Sequence, residues 1–74
     1  MITLYEFNGL SENDKGEEVF NSSFLGNREE GGIKVQLYSL EDFYVEVYYD
    51  PVNNRILRFR AFKRLHILAP FIKI

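Results

Sequence analysis

The sequence predicts an α+β domain: a small antiparallel four-stranded β-meander packed on one face by a short N-terminal helix and an apolar C-terminal segment. Three observations lead there. Between Ser22 and Phe62, apolar and polar residues alternate in runs of strand length, separated by turn signals. One earlier stretch, 11–21, carries helix-start chemistry. A single domain over 1–74 is short, and antiparallel neighbours need no long crossover to connect them.

The opening residues Ile2, Thr3, Tyr5 and Phe7 are β-prone and predict a short strand or ordered arm, closed by a turn at Asn8-Gly9. Ser11 followed by Asp14 is a variant capping box, with Glu12 well placed for a helix N-terminus. A helix over 11–21 would turn Val19 and Phe20 inward, although Gly16 costs it about 1 kcal/mol.

Strands follow. The run from Ser23 to Arg28 leads into a turn at Glu30-Gly31-Gly32. Ile33, Val35 and Leu37 alternate with Lys34 and Gln36, which predicts a half-buried strand with those three toward the core. After a connection at Ser39–Asp42, residues 43–49 form the clearest strand. Phe43, Val45 and Val47 share one face; Tyr44, Glu46 and Tyr48 share the other.

Asp50-Pro51-Val52-Asn53 reads as a type I turn into a last strand, Ile56–Phe62. Pairing Asp50 with Asn54 aligns Val47 with Leu57, Val45 with Phe59 and Phe43 with Ala61. It sets Glu46 opposite Arg58, Tyr44 opposite Arg60 and Tyr48 opposite Ile56. A one-residue slip would drive Arg58 and Arg60 into the core. A two-residue shift keeps both faces and stays open. From Leu65 to Ile74 the chain is strongly apolar but interrupted by Pro70, which predicts a helical turn and then docking on the domain or on a second copy.

Charge is unevenly spread. All 11 acidic residues precede Pro51, with three of the nine Lys and Arg; six bases and no acid follow. The net charge of −2 hides this division. Such a basic stripe is an electrostatic handle for an anionic surface. The chain has no Cys and one His, His66, so disulfides, thiolate zinc sites and multi-histidine metal sites are excluded and no cofactor is expected. No apolar run approaches the length of a membrane span, and the opening residues lack a basic secretion start. A cytoplasmic protein without a membrane partner is expected.

The outer sheet face carries the functional expectation. Tyr38, Tyr44, Tyr48, Ile56 and Phe62 are predicted to point away from the core, among Lys34, Glu46, Arg58 and Arg60, with Arg64 following. Tyr and Arg are favoured at interfaces because they offer area and directional hydrogen bonds at modest entropic cost. Tyr38, Tyr44, Tyr48, Arg58, Arg60, Phe62 and Arg64 are therefore the expected contact residues of a non-enzymatic protein-interaction module. Its partner would be a second copy, as a homodimer, or another protein. The alternative is a nucleic-acid-binding accessory domain using Arg58, Arg60, Lys63 and Arg64, with Tyr44, Tyr48 and Phe62 stacking on bases. The acidic overall balance weighs against it. Catalysis is not expected. The doublets Glu17-Glu18, Glu29-Glu30 and Glu41-Asp42 read as solvated surface, and His66 has no neighbouring Ser or Cys to activate.

Phe24-Leu25 with Arg28-Glu29, Leu37–Leu40, Phe43–Asp50, and Arg58-Phe59-Arg60 with Phe62-Lys63 together resemble a group of short, uncharacterised bacterial proteins. The similarity is one of strands and aromatics. It implies a small cytoplasmic bacterial domain and assigns no functional residue.

Overall fold

The computed structural model describes residues 2–63. The apolar segment predicted from Leu65 onward, and Arg64, lie outside the described residues. Two short helices, α1 (Leu4–Asn8) and α2 (Glu12–Phe20), precede four strands: β1 (Ser23–Glu30), β2 (Ile33–Ser39), β3 (Tyr44–Asp50) and β4 (Arg55–Phe62). The strands form one antiparallel sheet in sequence order. The α+β meander is thus the architecture of the chain, with one helix more than expected.

The added helix replaces the strand or arm predicted for the first eight residues. Thr3-Leu4-Tyr5-Glu6 is a capping box, and it outweighs the β-propensity of the side chains around it. The Glu6 backbone N–H donates to Thr3 Oγ1 at 3.2 Å, and the Thr3 N–H donates to Glu6 Oε1 at 2.9 Å. The helix drops Phe7 into the centre of the core, fully buried. In α2, Ser11 Oγ accepts from the Asp14 N–H at 3.2 Å, as its spacing predicts, and Val19 is buried. Phe20, expected inward, is 50% exposed and lies edge-on to Tyr38.

The hairpin between β1 and β2 turns through Gly31 and Gly32, with φ of 56° and 84°. Both values belong to the left-handed region that glycine enters without steric cost. The next connection decides which residues share a face. The Leu40 N–H donates to the Phe43 carbonyl at 2.9 Å, so Ser39 pairs with Tyr44 around the tip Glu41-Asp42. Even positions of β2 consequently share a face with odd positions of β3. Tyr38 stands beside Val45, Gln36 beside Val47, and Leu37 beside Glu46. The expectation that Ile33, Val35 and Leu37 join Val45 and Val47 is overturned, because a two-residue tip reverses the parity that was assumed.

The turn from β3 to β4 also differs. Asp50 Oδ1 accepts from the Val52 N–H at 3.0 Å and the Asn53 N–H at 3.3 Å, and Asn54 takes φ 52°. Asp50 then pairs with Arg55 rather than Asn54, and a bulge at Leu57 inserts one more residue. The two extra residues give the two-residue shift. Val47 faces Phe59, Val45 faces Ala61, Glu46 faces Arg60, Tyr48 faces Arg58 and Tyr44 faces Phe62. Ile56 moves to the helix-covered face, beside Tyr49.

The main core lies under the helices. Phe7, Val19, Phe43, Val45 and Val47 are buried there, and Ile2, Leu4, Leu10, Tyr38, Leu40, Phe59 and Ala61 pack against them. The Phe7 ring sits 5.7 Å from Phe43 and 6.3 Å, edge-on, from Phe59. Phe7→Ala is expected to lower the unfolding free energy by about 3–5 kcal/mol, measured by urea denaturation. That is a large part of what a domain of this size possesses.

Acid sensitivity follows from the caps. Hydrogen bonds from the Thr3 backbone and side chain hold Glu6 below the usual carboxylate range. The Asn53 side-chain amide, then the Asn53 and Val52 N–H groups, do the same for Asp50. A depressed folded-state value means the unfolded chain binds the proton more readily. The stabilisation is therefore present above about pH 4–4.5 and is lost as pH falls through the lower folded values. Melting temperature followed by circular dichroism should fall across that window, and the acid limb should be shallower in Glu6→Gln and Asp50→Asn.

Candidate interaction surface

The sheet face opposite the helices is built around a carboxylate that alternation places at the centre of β3. Glu46 is only 2% exposed. Its Oε1 accepts from Arg60 Nη1 at 2.8 Å and from the Tyr48 hydroxyl at 3.1 Å, and its Oε2 accepts from Arg28 Nη2 at 3.3 Å. Arg60 comes from the adjacent strand β4. Arg28 reaches across β2 from β1 and also pairs with Glu30. A carboxylate taken out of water needs its lone pairs met by such donors.

Around this centre the cations lie on rings. The Arg58 guanidinium is 4.2 Å from the centroid of Tyr48, and that of Arg60 is 5.3 Å from the centroid of Phe62. Phe62 in turn stacks on Tyr44 at 5.9 Å. Tyr48 and Phe62 are buried, at 9% and 8% exposure, as are Val35 and Leu37 on the same face. Burial, followed by the charge of Glu46 and the hydrogen bond to it, pushes the Tyr48 phenol up. The hydrogen bond from Arg28 holds Glu30 down.

The residues expected to make contacts are therefore divided. Tyr44, Tyr48, Arg58, Arg60 and Phe62 do share one face. Tyr38 does not: the reversed parity puts it on the helix face, between the rings of Phe20 at 5.6 Å and Phe24 at 5.5 Å. Burial there pushes its phenol up. Of the five that share the face, Tyr48 and Phe62 are covered, Tyr44 is half-buried, and Arg58 and Arg60 are exposed. Lys63 lies 3.7 Å from Asp42. Two features went unread in the sequence. One is Glu46 as the hub, signalled by a lone acid inside Val45-Glu46-Val47. The other is Arg28, whose part depends on a contact across two strands.

A groove of about 490 Å³ lies between α2 and β4, lined by Glu12, Asn13, Gly16, Phe20, Ile56, Leu57 and Phe59. Its floor is apolar, and Leu57, pushed out by the bulge, is 47% exposed. A Cβ at Gly16 would sit 3.7 Å from the Phe20 ring and 3.8 Å from that of Phe59, ordinary contact distances. Among the described residues no three acidic or imidazole groups converge to hold a metal ion, and no helix is long and apolar enough to cross a membrane.

Comparisons with protein-family models, with curated proteins and with solved structures gave no match.

Replacing the hub charge tests the arrangement. Glu46→Gln keeps the shape but weakens the three hydrogen bonds that the carboxylate accepts, and the amide nitrogen that replaces one oxygen cannot accept at all. The substitution is expected to cost about 1.5–3 kcal/mol in denaturant unfolding. Arg58→Ala, which removes a cation lying on a ring at the surface, should cost about 1 kcal/mol or less.

Proposed function

We propose that this chain is a non-enzymatic protein-interaction module that self-associates or binds a protein partner through the arginine side of β3 and β4. The observation that supports this best is the way the guanidinium groups are held. Arg60 is fixed by the buried Glu46 carboxylate, and Arg58 rests on the Tyr48 ring. Side chains held before contact lose less entropy on docking, and arginine with half-buried tyrosine is a composition that interfaces favour. The contact set is Tyr44, Arg58 and Arg60 at the surface, with Tyr48 and Phe62 as the platform beneath them.

Nucleic-acid binding through β4 is the weaker reading. Arg60 and Lys63 already have acidic neighbours in Glu46 and Asp42, which reduces the positive field available to phosphates.

Light scattering after gel filtration separates the versions. Self-association predicts a mass near twice 8.8 kDa at high concentration. The Tyr44→Ala, Arg58→Ala double variant should return it to the monomer with the fold intact by circular dichroism. A wild-type monomer at all concentrations removes the homodimer. Retention of single-stranded RNA or DNA that fades steeply with salt would favour the nucleic-acid reading instead.

A further inference from the structure

We infer that β4 and the groove beside it accept an extended peptide strand whose side chains alternate between acidic and apolar, added to the sheet as a fifth strand. The inference rests on reading the chain as a protein-interaction module and names the chemistry of its partner. Among the described residues β4 pairs only with β3, so within them its far side is a sheet edge. Such an edge offers backbone donors and acceptors to an incoming strand. A helix, α2, borders it across an apolar groove, so the strand would find both a hydrogen-bonding edge and a place for alternate side chains.

The two faces of β4 specify those side chains. Arg58 and Arg60 point to one face; Phe59 and Ala61 point to the other, with Ile56 and Leu57 lining the groove. The strand already paired with β4 displays the matching pattern. In β3, Glu46 meets Arg60 while Val45 and Val47 meet Ala61 and Phe59. An incoming strand of the same alternation would set a carboxylate beside Arg58, whose guanidinium lies on the Tyr48 ring, and apolar groups toward Phe20, Ile56 and Phe59; Arg60, already on Glu46, would be the lesser anion contact.

Charge argues against the two nearest competitors. A second β4, paired antiparallel about a two-fold axis at Arg58, Phe59 or Arg60, brings arginines of one copy beside those of the other. The chain beyond Lys63 contains Arg64 and Lys73 and no Asp or Glu, so it has no acidic side chain for these guanidinium groups.

The test uses the full chain, isotopically labelled, and two capped synthetic peptides of strand length: one alternating glutamate and valine, the other lysine and valine. The glutamate peptide is expected to bind at least about tenfold more tightly and to slow amide exchange along β4. Arg58→Glu should erase or reverse that preference. Gly16→Leu, which fills the groove from α2, should weaken binding by about tenfold or more. Leu57→Ser at the exposed bulge serves the same purpose if Gly16→Leu does not fold. Equal affinity for the two peptides, no binding, protection confined to β1, or a homodimer that buries β4 would each overturn the proposal. If the peptides fail while the Tyr44→Ala, Arg58→Ala double variant still alters self-association, only the strand-addition proposal falls.

Discussion

The carboxylate of Glu46 is the interaction on which the sheet depends. It sits on a strand flanked on both sides, where water has little access, and its charge has to be met by protein. Arg60 meets it from β4, and Arg28 meets it from β1 across β2. One buried acid therefore ties β1, β3 and β4 together across β2. The bond does not by itself choose the register of β4: a shift of two residues keeps every apolar residue on the same face and sets Arg58, instead of Arg60, opposite Glu46. Hydrophobic alternation selects the faces; the turn through Asp50 and Asn54 and the bulge at Leu57 select between the registers that alternation leaves equivalent.

The two faces are stabilised differently. Under the helices, aromatic and β-branched side chains fill the space around Phe7 in the manner of an ordinary small core. On the other face, Val35 and Leu37 are as thoroughly buried as the core residues: Val35 stands between Arg28 and Tyr48, and Leu37, beside Glu46, packs with Phe62 and Tyr44. Arginine stems and planar guanidinium groups cover apolar surface while keeping charge at the boundary with water. The arginine-bearing surface is thus also part of the domain's own packing. Changes to Arg58 and Arg60 have to be read for stability as well as for contact.

Much of the fold was legible in the residues. The turns at Gly31-Gly32 and Asp50-Pro51, the α2 cap at Ser11, and the grouping of Val45 and Val47 against Tyr44, Glu46 and Tyr48 follow from local chemistry. What was not legible depends on counting across a turn. Whether Leu37 or Tyr38 stands beside Val45 turns on one residue in the connection, and periodicity within a strand is silent about that. The α1 cap at Thr3 and Glu6 was visible in principle, but the β-propensity of Ile2, Tyr5 and Phe7 pointed the other way. On the face opposite the helices, alternation placed Tyr44, Tyr48, Arg58, Arg60 and Phe62 together. It could not locate Arg28, or separate rings that are covered from guanidinium groups that are not.

The tip Glu41-Asp42 has an effect out of proportion to its size. Loops at a surface ordinarily absorb an inserted or deleted residue with little harm. Here a change of one would rotate β1 and β2 by half a period against β3 and β4, presenting Gln36 and Tyr38 where Val35 and Leu37 now lie. Natural variation in length should therefore be suppressed at this tip, and the glycine hairpin and the Pro51 corner obey the same parity rule, since one added residue at either would turn Arg28 or Arg60 away from Glu46.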